Sequence, residues 1–173
     1  KQAELYREMS EGDALIGAVL FAIEMVLRQV TWEVEPFGSD NYHMLRADFL
    51  AECKDDMSHP WEQVLSDALT MLGQGWAWDE VVYKKRNLTA IDAPAEERTK
   101  YPDGKIGWRK FVLVPQQTVD DFELDEHGGV QAIVQGGSYG QQKVRIPIQK
   151  SLLFRTNSRT PRGTSVLRRV VES

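Results

Sequence analysis

The sequence is poor in the groups that usually announce chemistry or a membrane. It has one cysteine, Cys53, so no intrachain disulfide can form, which suits a reducing compartment. At 173 residues the chain needs no such staple, because a domain of this size buries roughly 70% of the surface its unfolded state exposes. There are three histidines, His43, His59 and His127, and their spacing fits no metal site. No apolar run reaches the roughly 20 residues of a membrane span. The longest apolar stretch, Ala14 to Val30, carries Glu24 and Arg28 at the i, i+4 spacing of a helical ion pair, and reads as a soluble core helix. The opening, Lys1 to Asp13, is polar and lacks the apolar core of a secretory leader, so the Asn87-Leu88-Thr89 sequon carries no meaning.

Basic residues are scarce early and concentrated late. Residues 1–60 hold 5 basic and 12 acidic side chains, residues 61–142 hold 8 and 13, and residues 143–173 hold 8 and 1. An acidic body with a basic C-terminal arm points to contact with nucleic acid or with the acidic part of a neighbouring copy.

The N-terminal half is written in helical periods. Asp13 is placed to cap a helix whose stripe is Ile16, Val19, Leu20, Ile23, Val26, Leu27 and Val30, implying one buried face. A turn follows at Pro36, Gly38 and Asp40. Tyr42, Leu45, Phe49, Leu50 and Cys53 mark a second helix, with Cys53 as a buried structural thiol. A third begins near Pro60, carries Trp61, Val64, Leu65, Ala68, Leu69 and Leu72, and stops at Gly73 or Gly75.

Beyond Trp76 and Trp78 the grammar changes to strands. Val81 to Tyr83 and Ile106 to Val114 are β-forming runs, with a polar loop at Ala90 to Lys100 between them. Phe122 to Asp125 and Val130 to Val134 flank a hairpin turn at Glu126 to Gly129. Val144 to Ile148 contains Pro147, which suits an edge strand. Leu152 to Phe154 is a short buried run, and Thr164 or Ser165 can cap a final helix from Val166. That helix barely begins, which suggests a chain cut from a longer protein. The expected fold class is α+β, with N-terminal helices packed on a mostly antiparallel sheet, in a single domain over 1–173.

Motifs for catalysis fail on inspection. Gly136 to Lys143 is glycine-rich, but Gln142 and Val144 occupy positions where a phosphate loop needs Gly and Ser or Thr. Asp121, Glu123 and Asp125 alternate as a calcium loop might, yet Glu126 stands at the obligatory glycine. Ser165 lies in no nucleophile elbow. The reading is therefore of a non-enzyme with no cofactor and no metal. Trp61 and Trp108 read as core residues, while Trp76 and Trp78 are open to either packing or base stacking. The cationic set Arg155, Arg159, Arg162, Arg168 and Arg169, with Lys143, Arg145 and Lys150, is left for subunit contact, phosphate contact or plain solvation.

Taken in order, five passages resemble the tailed-bacteriophage portal protein family, in particular its Mu-like branch. They are Asp13-Ala14-Leu15-Ile16 running to Trp32-Glu33-Val34-Glu35-Pro36; Trp61 to Tyr83 through Gly75-Trp76; Val114-Pro115 to Phe122-Glu123-Leu124-Asp125 with Gly129-Val130; Ile146-Pro147 with Lys150 to Phe154; and Pro161-Arg162-Gly163-Thr164-Ser165-Val166-Leu167-Arg168. The resemblance implies a portal wing-type domain, cut before the family's stem helices, in a subunit of a ring, usually a dodecamer, at one capsid vertex. It implies a channel for packaging and ejecting double-stranded DNA. The implied partners are further copies, the terminase large subunit, the capsid or scaffold protein and the head–tail connector, with no membrane. The protein would be made in the bacterial host cytoplasm and reside in the virion. Two other readings stay open: a nucleic-acid-binding module using the basic C-terminal segment, and a metal-dependent hydrolase using Asp120 to Glu126.

Overall fold

A computed structural model describes residues 2–87, 94–136 and 142–168. The helices are α1 (Gln2–Gly12), α2 (Ala14–Arg28), α3 (Asn41–Asp55) and α4 (Trp61–Gln74). The strands are β1 (Trp76–Lys85), β2 (Ile106–Leu113), β3 (Val119–Leu124), β4 (Val130–Gln135), β5 (Val144–Pro147) and β6 (Ser151–Arg155). They form two three-stranded sheets, in the orders β2-β1-β6 and β3-β4-β5. The class is α+β as expected, but two small antiparallel sheets stand in place of one. Pro147 ends β5, which is an edge strand of the second sheet.

The contacts divide the chain into two compact units. The first comprises Lys1–Arg28, Leu65–Glu80 and Val112–Ser173, and is built on aromatic packing. Trp76, Trp78, Val114, Phe122, Ile133 and Ile146 form its core. The Phe122 ring meets Trp76 edge-on at 5.0 Å and Trp78 at 6.2 Å between centroids, the arrangement ring quadrupoles favour. Phe122 sits opposite Ile133 on β4, and Ile133 opposite Ile146 on β5, so one face of that sheet supplies half of the core. Trp76 and Trp78 are 4% and 0% exposed, which removes them as a stacking platform for bases.

The helical part of this unit departs from the expected pattern. Residues 2–12, read as a polar lead-in, form α1. Asp13 accepts the backbone N–H groups of Leu15 (2.9 Å) and Ile16 (3.1 Å), capping α2 as its chemistry suggests. Yet α2 buries no residue: Val19, Ile23, Val26 and Leu27 of the anticipated core stripe are exposed, and Ile16 and Leu20 are half-buried. Its packed side is set by close approach to α1, where a Cβ on Gly17 would lie 3.1 Å from the Ser10 carbonyl oxygen.

The second unit, Gln29–Val64 with Val81–Phe111, is held by buried charge. Asp40 caps α3 by accepting the His43 N–H at 2.9 Å, and its other oxygen lies 2.7 Å from His43 Nδ1. These bonds hold the Asp40 carboxyl below its ordinary range. Cys53 is buried on α3 as expected, although Tyr42, Leu45 and Leu50 of the same proposed stripe are exposed. Trp61 and Trp108 are half-buried and each meets Phe111, at 6.5 Å and 5.3 Å.

Lys84 and Arg86 point inward two residues apart, a placement no composition rule anticipates for such side chains. The Lys84 ammonium donates to the Asp56 and Arg98 carbonyls, both at 2.6 Å, and sits 3.2 Å from the Asp56 carboxylate. Asp56 also accepts the Thr99 hydroxyl (2.7 Å) and the Lys100 N–H (2.8 Å). Arg86 pairs with Glu52 at 2.6 Å and Asp103 at 3.3 Å, with its guanidinium about 5 Å from both the Phe49 and Tyr101 rings. Gly107 makes room for it, since a Cβ there would lie 2.9 Å from Arg86 Cδ.

Candidate functional site at the basic C-terminal segment

Two glycine-containing passages, Gly73-Gln74-Gly75-Trp76 and Pro161-Arg162-Gly163-Thr164-Ser165, meet in the first unit. The cause lies at the end of α4. A helix leaves its last carbonyls without intrahelical donors, and here the later passage supplies them. Val166 N–H donates to the Leu72 carbonyl at 3.0 Å, and the Ser165 hydroxyl donates to the Gly73 carbonyl at 2.6 Å. Gly75 N–H closes the last turn on Met71 at 2.6 Å, and Gly75 has φ of +93°, the left-handed conformation that stops a helix at glycine.

Gly163 also has positive φ and lies against the Gly75 carbonyl, with no space for a side chain. Thr156, just past β6, completes the clamp. Its N–H donates to Gly75 O at 3.1 Å, while its hydroxyl donates to Thr164 O at 2.7 Å and accepts the Thr164 N–H at 2.9 Å. Ser165 Oγ in turn accepts Leu167 N–H at 3.0 Å, the cap expected of it. Arg168 is the first residue in helical conformation. The rest of the anticipated final helix, Arg169 included, lies outside the described residues.

Beside this junction is a cleft of about 240 Å³, lined among others by Tyr6, Gln116, Ser165, Arg162 and Arg168. Gln116 is buried and donates to the Trp76 carbonyl (3.1 Å) and the Thr70 hydroxyl (2.9 Å), fixing the cleft floor. Gln74 Oε1 is buried there without a hydrogen-bond donor among the described residues.

The anticipated arginines share this unit but differ in environment. Arg155, half-buried on β6 opposite Trp76, reaches the Thr160 carbonyl at 3.4 Å. Arg159 is exposed. Arg162 donates to the Asp120 carbonyl at 3.2 Å and lies 5.6 Å over the Phe122 ring. Arg168 lines the cleft.

Part of the basic arm is neutralised within the chain. Lys143 pairs with Asp120 and Arg145 with Glu123, both at 2.7 Å. The Asp120 hydrogen bond and charge raise the Lys143 pKa. The acidic cluster is spoken for in the same way. Asp125 accepts the N–H groups of Gly129 (2.7 Å) and His127 (2.9 Å) and the Gln131 amide (3.0 Å), so it shapes the β3–β4 turn. Those bonds, the Gly129 one foremost, lower its pKa. No group of three or more potential metal ligands occurs among the described residues. Of the glycine-rich run, residues 137–141 lie outside the described residues, as do Leu88 and Thr89 of the sequon.

One group escaped sequence reasoning altogether. Asp79 on β1 is 0% exposed, and neither carboxylate oxygen has a hydrogen-bond partner among the described residues. Burial pushes its pKa up to about 7, and the charge of Asp67 adds to the rise.

What the fold and this junction define is an α+β scaffold in which many polar groups hold its own turns and helix ends. A model of the family described as the portal protein of Mu bacteriophage matches residues 3–172, and the chain belongs to that family. Membership carries a structural, non-catalytic role, ring assembly and association with the virion capsid. No curated protein matches the chain significantly. Among the described residues no helix is long and apolar enough to cross a membrane.

Proposed function

We infer that the chain, residues 1–173, is a single wing-type domain of a portal subunit. A dodecameric ring of such subunits would sit at one capsid vertex and form the channel through which double-stranded DNA is packaged and ejected. The ring would dock the terminase large subunit, the capsid or scaffold protein and the head–tail connector. The observation that carries this reading is the family match across nearly the whole chain. The clamp at Gly75, Gly163 and Ser165 supports it, because it gives a structural reason for two of the passages that resemble the family. Arg155, Arg159, Arg162, Arg168 and Arg169 are then cations for a neighbouring subunit or for the DNA backbone, with no catalytic duty.

Negative-stain imaging and native mass spectrometry of the full-length protein test the proposal. Closed rings of uniform subunit number are expected, and a stable lone monomer overturns it. The excess of base over acid in residues 143–173 favours a second reading, a nucleic-acid-binding module. DNA binding by a protein that forms no rings, weakening steeply with salt and lost on Arg155→Ala with Arg159→Ala, would replace the first reading with this one.

A further inference from the structure

Helix α2 keeps an apolar side in water. Ile16, Gly17, Leu20, Glu24, Met25 and Arg28 are its half-buried positions and lie along one side of the helix. Two of the six are charged, and both are satisfied there: Glu24 accepts the Ser66 hydroxyl at 2.6 Å and pairs with Arg28 at 3.5 Å. The opposite side is Leu15, Val19, Ala22 and Val26, at i, i+4, i+7 and i+11, the spacing of a helix–helix seam. Leu15 is 75% exposed, Val19 52% and Val26 66%. Not one charged residue interrupts that face.

A contiguous, charge-free apolar face left in water is the signature of an interaction surface. Its chemistry narrows the partner. Nucleic acid would find no cation on it, and a charged peptide no counter-ion. A lipid surface is met by helices with lysine and arginine along the polar side, whereas α2 offers Arg28 alone, already paired with Glu24. The face fits an apolar ridge.

We propose that this ridge belongs to a second copy of the chain, so that α2 is one half of the subunit contact in the ring. The inference rests on the portal reading. A closed cyclic ring repeats a heterologous contact, which requires two different faces on each copy. The second unit supplies another: Phe37 is 94% exposed, and α3 exposes Tyr42 (57%), Met44 (50%) and Leu45 (60%), with the Arg46 guanidinium stacked over the Tyr42 ring at 4.1 Å. A 15-residue helix is about 22 Å long, and one side of it covers only part of the roughly 800 Å² per partner that a stable pair buries. Each contact is therefore weak alone and gains from ring closure.

The test uses the full-length protein with Val19→Asp and Val26→Asp together, and separately with Tyr42→Asp and Leu45→Asp. Sedimentation velocity and native mass spectrometry read the ring fraction, and thermal melting of the subunit reads its fold. Either pair should cut the ring fraction at least about tenfold while subunit melting stays put, since the replaced side chains face water. Undiminished rings in the α2 variant overturn the inference, as does a collapse in its subunit melting temperature, which would place the face inside the fold. Undiminished rings in the α3 variant overturn the pairing of the two faces. Intact rings that fail to enter procapsids assign the face to the capsid protein, and also overturn it. Absence of rings in the unsubstituted protein is a different result: it removes the portal reading itself.

Discussion

The two halves of β1 illustrate two ways to fill an interior. Trp76 and Trp78 bury apolar surface against Phe122, Ile133 and Ile146, while Lys84 near the strand's end and Arg86 just past it bury charge against Asp56, Glu52 and Asp103. Apolar burial stabilises through the area removed from water, at about 25 cal/mol per Å². Buried ion pairs gain little net energy, because desolvation offsets the attraction, but they tolerate no missing partner. The aromatic unit should thus lose stability in proportion to what is trimmed, and the ionic unit should fail all at once.

The largest expected effect breaks that contrast at its sharpest point. Asp56→Ala should cost about 3–5 kcal/mol by leaving the Lys84 ammonium unpaired in a dry site. Replacing both partners, Lys84→Met with Asp56→Leu, should restore most of the loss in urea unfolding. If the double variant is as unstable as the single, the pair contributes through geometry that no apolar substitute reproduces.

Asp79 is the exception inside the aromatic unit, and pH reveals it. Its folded pKa of about 7 lies above the ordinary carboxyl value of 3.8. The folded state therefore holds more protons between those limits, and stability falls as pH rises from about 4 to about 7. Asp79→Asn should stabilise the chain at pH 8 by up to about 4 kcal/mol, and the gain should shrink toward zero near pH 4. A pH-independent difference in melting temperature would mean that the carboxylate finds a partner.

The smallest effect concerns the glycine clamp. Ser165→Ala removes one buried donor to the Gly73 carbonyl and one acceptor for Leu167 N–H, and should cost about 1–2 kcal/mol. Faster amide exchange should appear around Gly163 to Leu167, with the aromatic core protected as before. Uniform exchange across both would show that the clamp and the core open together.

Much of the element order was legible because it depends on local grammar. Asp13 before an apolar helix, Pro60 before Trp61, Gly75 after Gln74 and the Glu126 to Gly129 turn each act within a few residues. The basic segment was visible in the sequence, but its partners were not, since Asp120 and Glu123 on β3 reach Lys143 and Arg145 across the intervening β4. The seven-residue stripe of α2 was misassigned for a plain reason. Periodicity shows that a helix has an apolar side, not whether that side turns to the same chain or to another. Lys84 and Arg86 carried one usable hint, their alternation with exposed Tyr83 and Lys85. That hint means burial only once Asp56, Glu52 and Gly107 are known to lie opposite.

By itself, the order of residues determined where helices start and stop, which segments extend, that Cys53 is a structural thiol and that the chain resembles portal proteins. The tertiary structure alone decided which apolar residues are shielded, which charges are paired, and that two glycine passages some ninety residues apart share one clamp. The division follows from range. Caps, turns and periodicity are set by neighbours along the chain, whereas burial and pairing depend on side chains that sequence distance does not bring near.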